Sequence, residues 1–274
     1  MVNLKAKAYE IRKDIVSLIH DAGCGHIGGD LSVTDILVVL YYKHLNCSPD
    51  NMDDPNRDRL ILSKGHSAEA LYCILADRGF FPKSDLDNYS GYQSKYIGHP
   101  NNKINGIEMN TGSLGHGLSI AVGMAIAGKM DRANYRVYTI MGDGELAEGS
   151  IWEGAMAGSH YKLDNLTAFV DRNHLQISGC TEDVMAQNSQ EERWASFGWH
   201  VISIPGNDVD AIDKAIEEAK ATKGRPTVII ANTTKGYGVS FMENQALWHH
   251  RVPNDEEYAK AMAELEQRRV EVYE

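Results

Sequence analysis

The chain has 274 residues and a formal net charge of −11, from 27 Lys and Arg against 38 Asp and Glu. That balance, with no basic run, excludes nucleic acid as the main partner, and no apolar stretch reaches the roughly 18 residues that a membrane span needs. The four cysteines, Cys24, Cys47, Cys73 and Cys180, lack CxxC spacing and read as reduced thiols of a cytoplasmic protein.

The opening MVNLKAKAYEIRKD has the pattern of an amphipathic helix rather than a signal peptide. Leu4, Ala8, Ile11, Ile15, Leu18, Ile19 and Ala22 recur at three- and four-residue steps, so one helix face is buried, and Gly23 ends it as a left-handed cap. Gly25 to Gly29 (GHIGG) is too glycine-rich for a regular element, and a second helix is expected from Ser32 through VTDILVVLYYKHL. An imidazole in such a turn, His26, suits either a cavity or a capping role. Asp58 to Leu62 reads as a strand, Ser63-Lys64-Gly65-His66-Ser67 as the loop at its carboxyl end, and Ala68 to Asp77 as a helix. Lys64 fits a solvated charge as well as a ligand contact.

Residues Gly79 to Asn110 are irregular but rich in aromatics, which argues for a functional connection rather than disorder. Thr111 to Gly117 (TGSLGHG) then leads into a helix of small residues, LSIAVGMAIAGKM. Arg136 to Met141 is a strand, Glu145 to Tyr161 a crossover helix, and Asn165 to Val170 a second strand. A polar stretch over 178–198 precedes the strand HVISIP, the acidic helix DVDAIDKAIEEAKA, the turn Gly224-Arg225-Pro226 and the strand TVIIAN. The segment ENQALWHHRVPN and a charged helix, DEEYAKAMAELEQRR, close the chain. Alternating strands and helices with no linker or repeat predict a single α/β domain over 1–274, a mostly parallel sheet flanked by helices.

The organising stretch is Gly142-Asp143-Gly144-Glu145, with Asn173 thirty positions beyond Asp143. The strand–crossover–strand spacing places Asp143 and Asn173 side by side at the carboxyl ends of neighbouring strands, where open α/β sheets bind ligands. A carboxylate, an amide oxygen and nearby carbonyls are hard ligands suited to Mg²⁺ or Ca²⁺ rather than zinc. The glycines and the following helix start suit an anion. A bare GDG also fits an ordinary glycine turn; the Asn at this distance favours a metal-bound diphosphate.

The string GDGELAEGSIWEGAMAGSHYKLDNLTAFVDRNHLQISG resembles the thiamine-diphosphate motif in its transketolase version. The resemblance implies that Asp143, Asn173 and the carbonyl of Leu175 hold the metal bridging the cofactor's phosphates, with Gly144 and Glu145 in the same cofactor-binding turn. Ser-Lys-Gly-His resembles the family signature that sets His66 by the diphosphate and reactive ring. The Gly-His-x-Gly-Gly loop resembles the family loop whose histidine meets the substrate hydroxyls, which implies that role for His26, although Ile27 stands where the family more often has Pro. His99-Pro100 resembles the pair that meets the substrate near the thiazolium. Gly112, Ser113 and Leu114 match the loop against the cofactor rings, and His116 stands where many relatives have Gln. Trp248-His249 resembles the family's Trp-His-Gly loop, with His250 in the glycine's place; two surface histidines would also fit.

Thiamine diphosphate carries the hard chemistry itself, and imidazoles move protons near neutral pH. The resemblance covers essentially all of this sequence but only the N-terminal part of a full transketolase. It therefore implies a split enzyme whose separate pyrimidine-binding subunit completes the site, expected as a heterotetramer acting on sugars or sugar phosphates. Glu148 matches a family glutamate at the subunit interface, although an exposed helix Glu would look alike. Two alternatives stand beside this reading. One is the α-type subunit of another thiamine enzyme, either a 2-oxoacid dehydrogenase or a deoxyxylulose-phosphate-type synthase. The other is a non-catalytic regulatory subunit of the same fold.

Overall fold

A computed structural model describes residues 2–273; the terminal Met1 and Glu274 of the expected 1–274 domain lie outside the described residues. Among the described residues five strands form one wholly parallel sheet in the order β1-β2-β3-β5-β4. They are β1 (Arg59–Leu62), β2 (Val137–Gly142), β3 (Leu166–Arg172), β4 (His200–Pro205) and β5 (Thr227–Asn232). The apolar runs HVISIP and TVIIAN, bounded by turn residues, become β4 and β5 at the expected limits.

Side-chain alternation splits the core in two. Tyr138 and Ile140 of β2, Phe169 of β3 and Ile229 of β5 face one side of the sheet. Val137 and Met141, Ala168 and Val170, and Val228 and Ile230 face the other. Helices cover both faces, as an all-parallel sheet requires. The first face carries α1 (Leu4–Ala22), α2 (Ile27–Val39), α3 (Ala68–Asp77), α8 (Val209–Ala221) and α9 (Asp255–Glu271). The second carries α4 (Gly117–Met130), α5 (Gly149–His160) and α7 (Gln190–Ser196), with the short α6 (Thr181–Val184) in the connection before it. Right-handed crossovers explain this segregation. The chain runs one way across the sheet from β2 through β3 to β4, then reverses from β4 to β5, so α5 and α7 lie opposite α8.

Two boundaries differ from expectation. Helix α2 begins at Ile27, so Gly28 and Gly29 lie inside its first turn and His26 is its N-cap. Close packing explains why glycines stand there: a Cβ on Gly28 would lie 2.7 Å from the Trp248 carbonyl oxygen, and one on Gly29 would lie 3.0 Å from Ser67 Oγ. The expected crossover helix from Glu145 is broken. A 3₁₀ turn spans Gly144–Ala147, Glu148 is extended (φ −73°, ψ 128°), and α5 begins at Gly149. Helix α1 ends at Gly23 with φ 68°, as its left-handed cap predicts. All four cysteines are free, and among the described residues no helix is long and apolar enough to cross a membrane.

Candidate active site

The carboxyl ends of β1, β2, β3 and β5 open into one cavity of about 420 Å³. After β2, Asp143 Oδ1 accepts from the Gly144 N–H (2.8 Å) and Oδ2 from the His174 N–H (2.6 Å). After β3, Asn173 Oδ1 accepts from the Leu175 N–H (3.2 Å), and its Nδ2 donates to Ser32 Oγ (3.3 Å). His174, at φ 64°, turns the chain between Asn173 and Leu175. The sheet register pairs Gly142 with Asp171, so the two loops leave the sheet side by side. Asp143 and Asn173 therefore converge, as their spacing predicts, and Leu175 lines the same cavity.

Two lysines are buried at the base of the cavity. Lys64 and Lys235 are 1% and 2% exposed, which is rare for lysine unless it is paired. Lys64 Nζ bonds Asp171 (2.5 Å) and the Gly29 carbonyl (3.0 Å). Asp171 also accepts from Ser32 (2.6 Å) and from Thr233. Lys64 is thus not a solvated charge: its ion pair seals the floor between β1 and β3. Lys235 Nζ reaches the Leu175 carbonyl (3.5 Å) and His249 Nδ1 (2.9 Å). Burial, then the charge of Lys64, lowers Lys235 to about 8.

Above this floor stand the imidazoles, with His26 at the centre. Its ring centroid lies 5.5 Å from His66, 6.0 Å from His99, 5.6 Å from His249 and 4.5 Å from His250. Burial is the main cause that lowers His26 to about 4 and His249 to about 3, and it holds His66 well below its ordinary value. The lysines push the same way. These rings are neutral at pH 7 and can accept or give a proton. Because the Lys235 ammonium donates to His249 Nδ1, the His249 ring proton sits on Nε2.

The remaining predicted residues divide. Gly112 (φ 133°) and Leu114 line the cavity, and a Cβ on Gly112 would overlap His99. Gly144 lines it beside Gln176. Glu145 also lines it, but its carboxylate is turned to protein groups: Ser63 Oγ, the Gly115 N–H (2.8 Å) and the Gly142 N–H (3.1 Å). Ser113, His99, His116, Glu148 and His250 are exposed, His99 and His250 at the cavity mouth. The sequence reading missed Lys235 and also Gln187, whose Nε2 donates to the Asp143 carbonyl (2.5 Å). Lys235 follows β5 at the ligand edge, a position that could have flagged it. Gln187 lies in the polar stretch before α7 and carries no such signal.

The donor set fits a divalent cation on an anion. Burial, then the neighbouring Asp171, raises Asp143 to about 6, and a cation at this carboxylate would offset both effects. His26 Nδ1 and Gln176 Oε1 line the cavity, buried and without hydrogen-bond partners among the described residues.

Residues 4–268 match the family "Transketolase, thiamine diphosphate binding domain". The chain belongs to this family. A relative within it, an apulose-4-phosphate transketolase subunit of Phocaeicola vulgatus, is 47% identical over 97% of this chain and 94% of that protein. The 6-deoxy-6-sulfo-D-fructose transketolase subunit SqwG of Clostridium sp. is 44% identical over 97% of each. The crystal structure of Campylobacter jejuni transketolase superposes with a TM-score of 0.89 at 30% identity, over 99% of this chain and 46% of that one. The chain therefore spans less than half the length of that solved transketolase and nearly the whole of the two single-subunit relatives.

Proposed function

We propose that this chain is the diphosphate-binding subunit of a thiamine-diphosphate-dependent transketolase, moving a two-carbon ketol unit from a ketose or its phosphate to an aldose or its phosphate. One observation carries the reading. Hard oxygen donors, two buried lysines and a rim of neutral imidazoles converge in a single cavity at the sheet's carboxyl edge. Asp143, Asn173 and the Leu175 carbonyl would hold Mg²⁺ or Ca²⁺ on the diphosphate. Gly144, Gly112, Ser113, Leu114 and Glu145 would form the surrounding cofactor loops, and His66 would stand beside them. When bound, thiamine diphosphate supplies the carbon–carbon bond chemistry. The chain's own residues hold the diphosphate, keep water out and move protons. His26, His66, His99 and His249 serve sugar hydroxyls and the carbonyl oxygen, with His249 offering the Nε2 proton.

Both transketolase subunits are matched over nearly their full lengths. That match supports a separate pyrimidine-binding partner. The working form in this reading is two copies of each chain, in the cytoplasm. This chain acts there as a single domain, with exposed Glu148 turned to the partner. Both relatives' names carry an anionic sugar, so anionic sugars are the substrate class to test.

The test is ketol transfer from xylulose 5-phosphate to ribose 5-phosphate by this chain and its partner, purified together with Mg²⁺ and thiamine diphosphate. Activity is expected only when both chains are present, whereas turnover by the single chain would refute the split site. Tight cofactor binding without turnover would direct the search to branched or modified sugars. No cofactor binding by the pair would sink the catalytic reading.

A further inference from the structure

Two carboxyl groups outside the cofactor site are buried against each other beneath the histidine turns. Asp30 lies in the first turn of α2, four residues after His26, and Glu69 lies in the first turn of α3, three residues after His66. Both are 0% exposed. Each reaches across to the other's loop. Asp30 Oδ1 accepts from the Ala70 N–H (2.9 Å). Glu69 Oε1 accepts from the Tyr89 hydroxyl (2.6 Å) and packs against Gly25, where a Cβ would lie 2.8 Å from it.

Asp30 Oδ2 and Glu69 Oε2 are both buried with no hydrogen-bond partner among the described residues. Two ionised carboxylates cannot be held so: burial and like charge both oppose it, and each unpaired oxygen carries a desolvation cost. One proton between them removes the repulsion and satisfies both oxygens.

We propose that Asp30 and Glu69 share a single proton and act as a positioning pair, fixing the His26 turn against the His66 turn. Neither residue lines the cavity; both act through the backbone of the turns they cross-link. The functional meaning rests on the transketolase reading, but the shared proton does not. Burial is the main cause that raises both groups, Asp30 well above the ordinary range and Glu69 to about 6. The proton resides on Asp30 and is donated to Glu69. Around the pair stand Lys64 from the end of β1, Tyr72 and Cys73 from α3, Tyr89 from the 83–88 turn region, and Cys24 and His26 from the α1–α2 connection. Of these Lys64 is committed to Asp171.

Three readouts that need no turnover test this. The wild-type chain should show an infrared carboxylic-acid C=O band at pH 7 that Asp30→Asn removes, the amide N–H replacing the acid O–H. A group whose folded pKa is raised contributes stability that is complete below its unfolded pKa and lost as pH rises towards the folded one. The wild-type folding constant should therefore fall, relative to Asp30→Asn, by up to about tenfold per pH unit between pH 5 and 7. Asp30→Leu should shift the ring resonances of both His26 and His66, which Asp30→Asn leaves in place. If Asp30→Leu does not fold, Tyr89→Phe, which strips only the hydroxyl on Glu69, should move them more weakly. No difference band, or parallel pH slopes, overturns the shared proton. Unmoved histidine resonances overturn the positioning role. Failed ketol transfer with all three readouts intact would sink the functional reading alone.

Discussion

Lys235 and His249 show how one charge sets the behaviour of a neighbouring imidazole. The ammonium lies 2.9 Å from Nδ1, and after burial its charge is the largest cause holding His249 near 3. Replacing Lys235 by Met keeps most of the burial and removes the charge. The His249 pKa should then rise, while staying below the ordinary value of about 6.5 because burial remains. An NMR titration of the His249 ring in the chain alone reads this directly, and an unmoved pKa would show that Lys235 is not what holds the tautomer. Cofactor affinity should also weaken, on the order of 10- to 100-fold, the loss typical of groups that support a ligand set. The pairing of Lys235 with His249 was not legible in the sequence, where an irregular segment separates them. Lys64 was ambiguous for the same reason: burial and partners are tertiary facts. Asp143 and Asn173 were legible because a strand, a crossover and a second strand leave only one place for them.

The first turn of α2 reverses a familiar rule. Gly→Ala inside a helix is ordinarily worth about 0.5–1 kcal/mol. At Gly28 the new Cβ would meet the Trp248 carbonyl at 2.7 Å and Lys235 Cγ at 3.0 Å, and overpacking costs about 1–3 kcal/mol. The clash wins. Gly28→Ala should lower the Tm by several degrees and displace the turn that carries His249. Gly123→Ala in α4, whose Cβ would meet nothing within 4 Å, should instead raise Tm slightly. A rise for both would mean that the α2 turn yields without cost. The same glycines explain where the sequence misled at this scale. Helix-breaking residues argued for a loop over 25–29, yet the chain accepts their entropy cost so that α2 can start against Trp248 and Ser67. Strands β4 and β5, apolar runs between turn residues, gave no such conflict.

At the scale of the molecule, Glu148 is an exposed, extended residue between the Gly144–Ala147 turn and α5. Glu148→Ala should leave the chain's own stability within about 0.5 kcal/mol. In the assembled pair it should cost at least about tenfold in kcat/KM, or roughly 1.4 kcal/mol. An unchanged kcat/KM would make Glu148 an ordinary surface residue. The parallel architecture was legible from alternating strands and helices, but the strand order was not, since nothing in the local pattern dictates that β5 inserts beside β3. That insertion has a consequence during synthesis. Strand β4 pairs with β5 alone, and β3 also needs β5 on its outer side, yet β5 is made last. Until Asn232 leaves the ribosome, two strands of a nascent chain lack this partner, and such open edges are prone to pair with a neighbouring chain. The closing of β5 between them fills β3's outer edge and one edge of β4, and it brings Lys235 to the sheet's carboxyl edge in the same step.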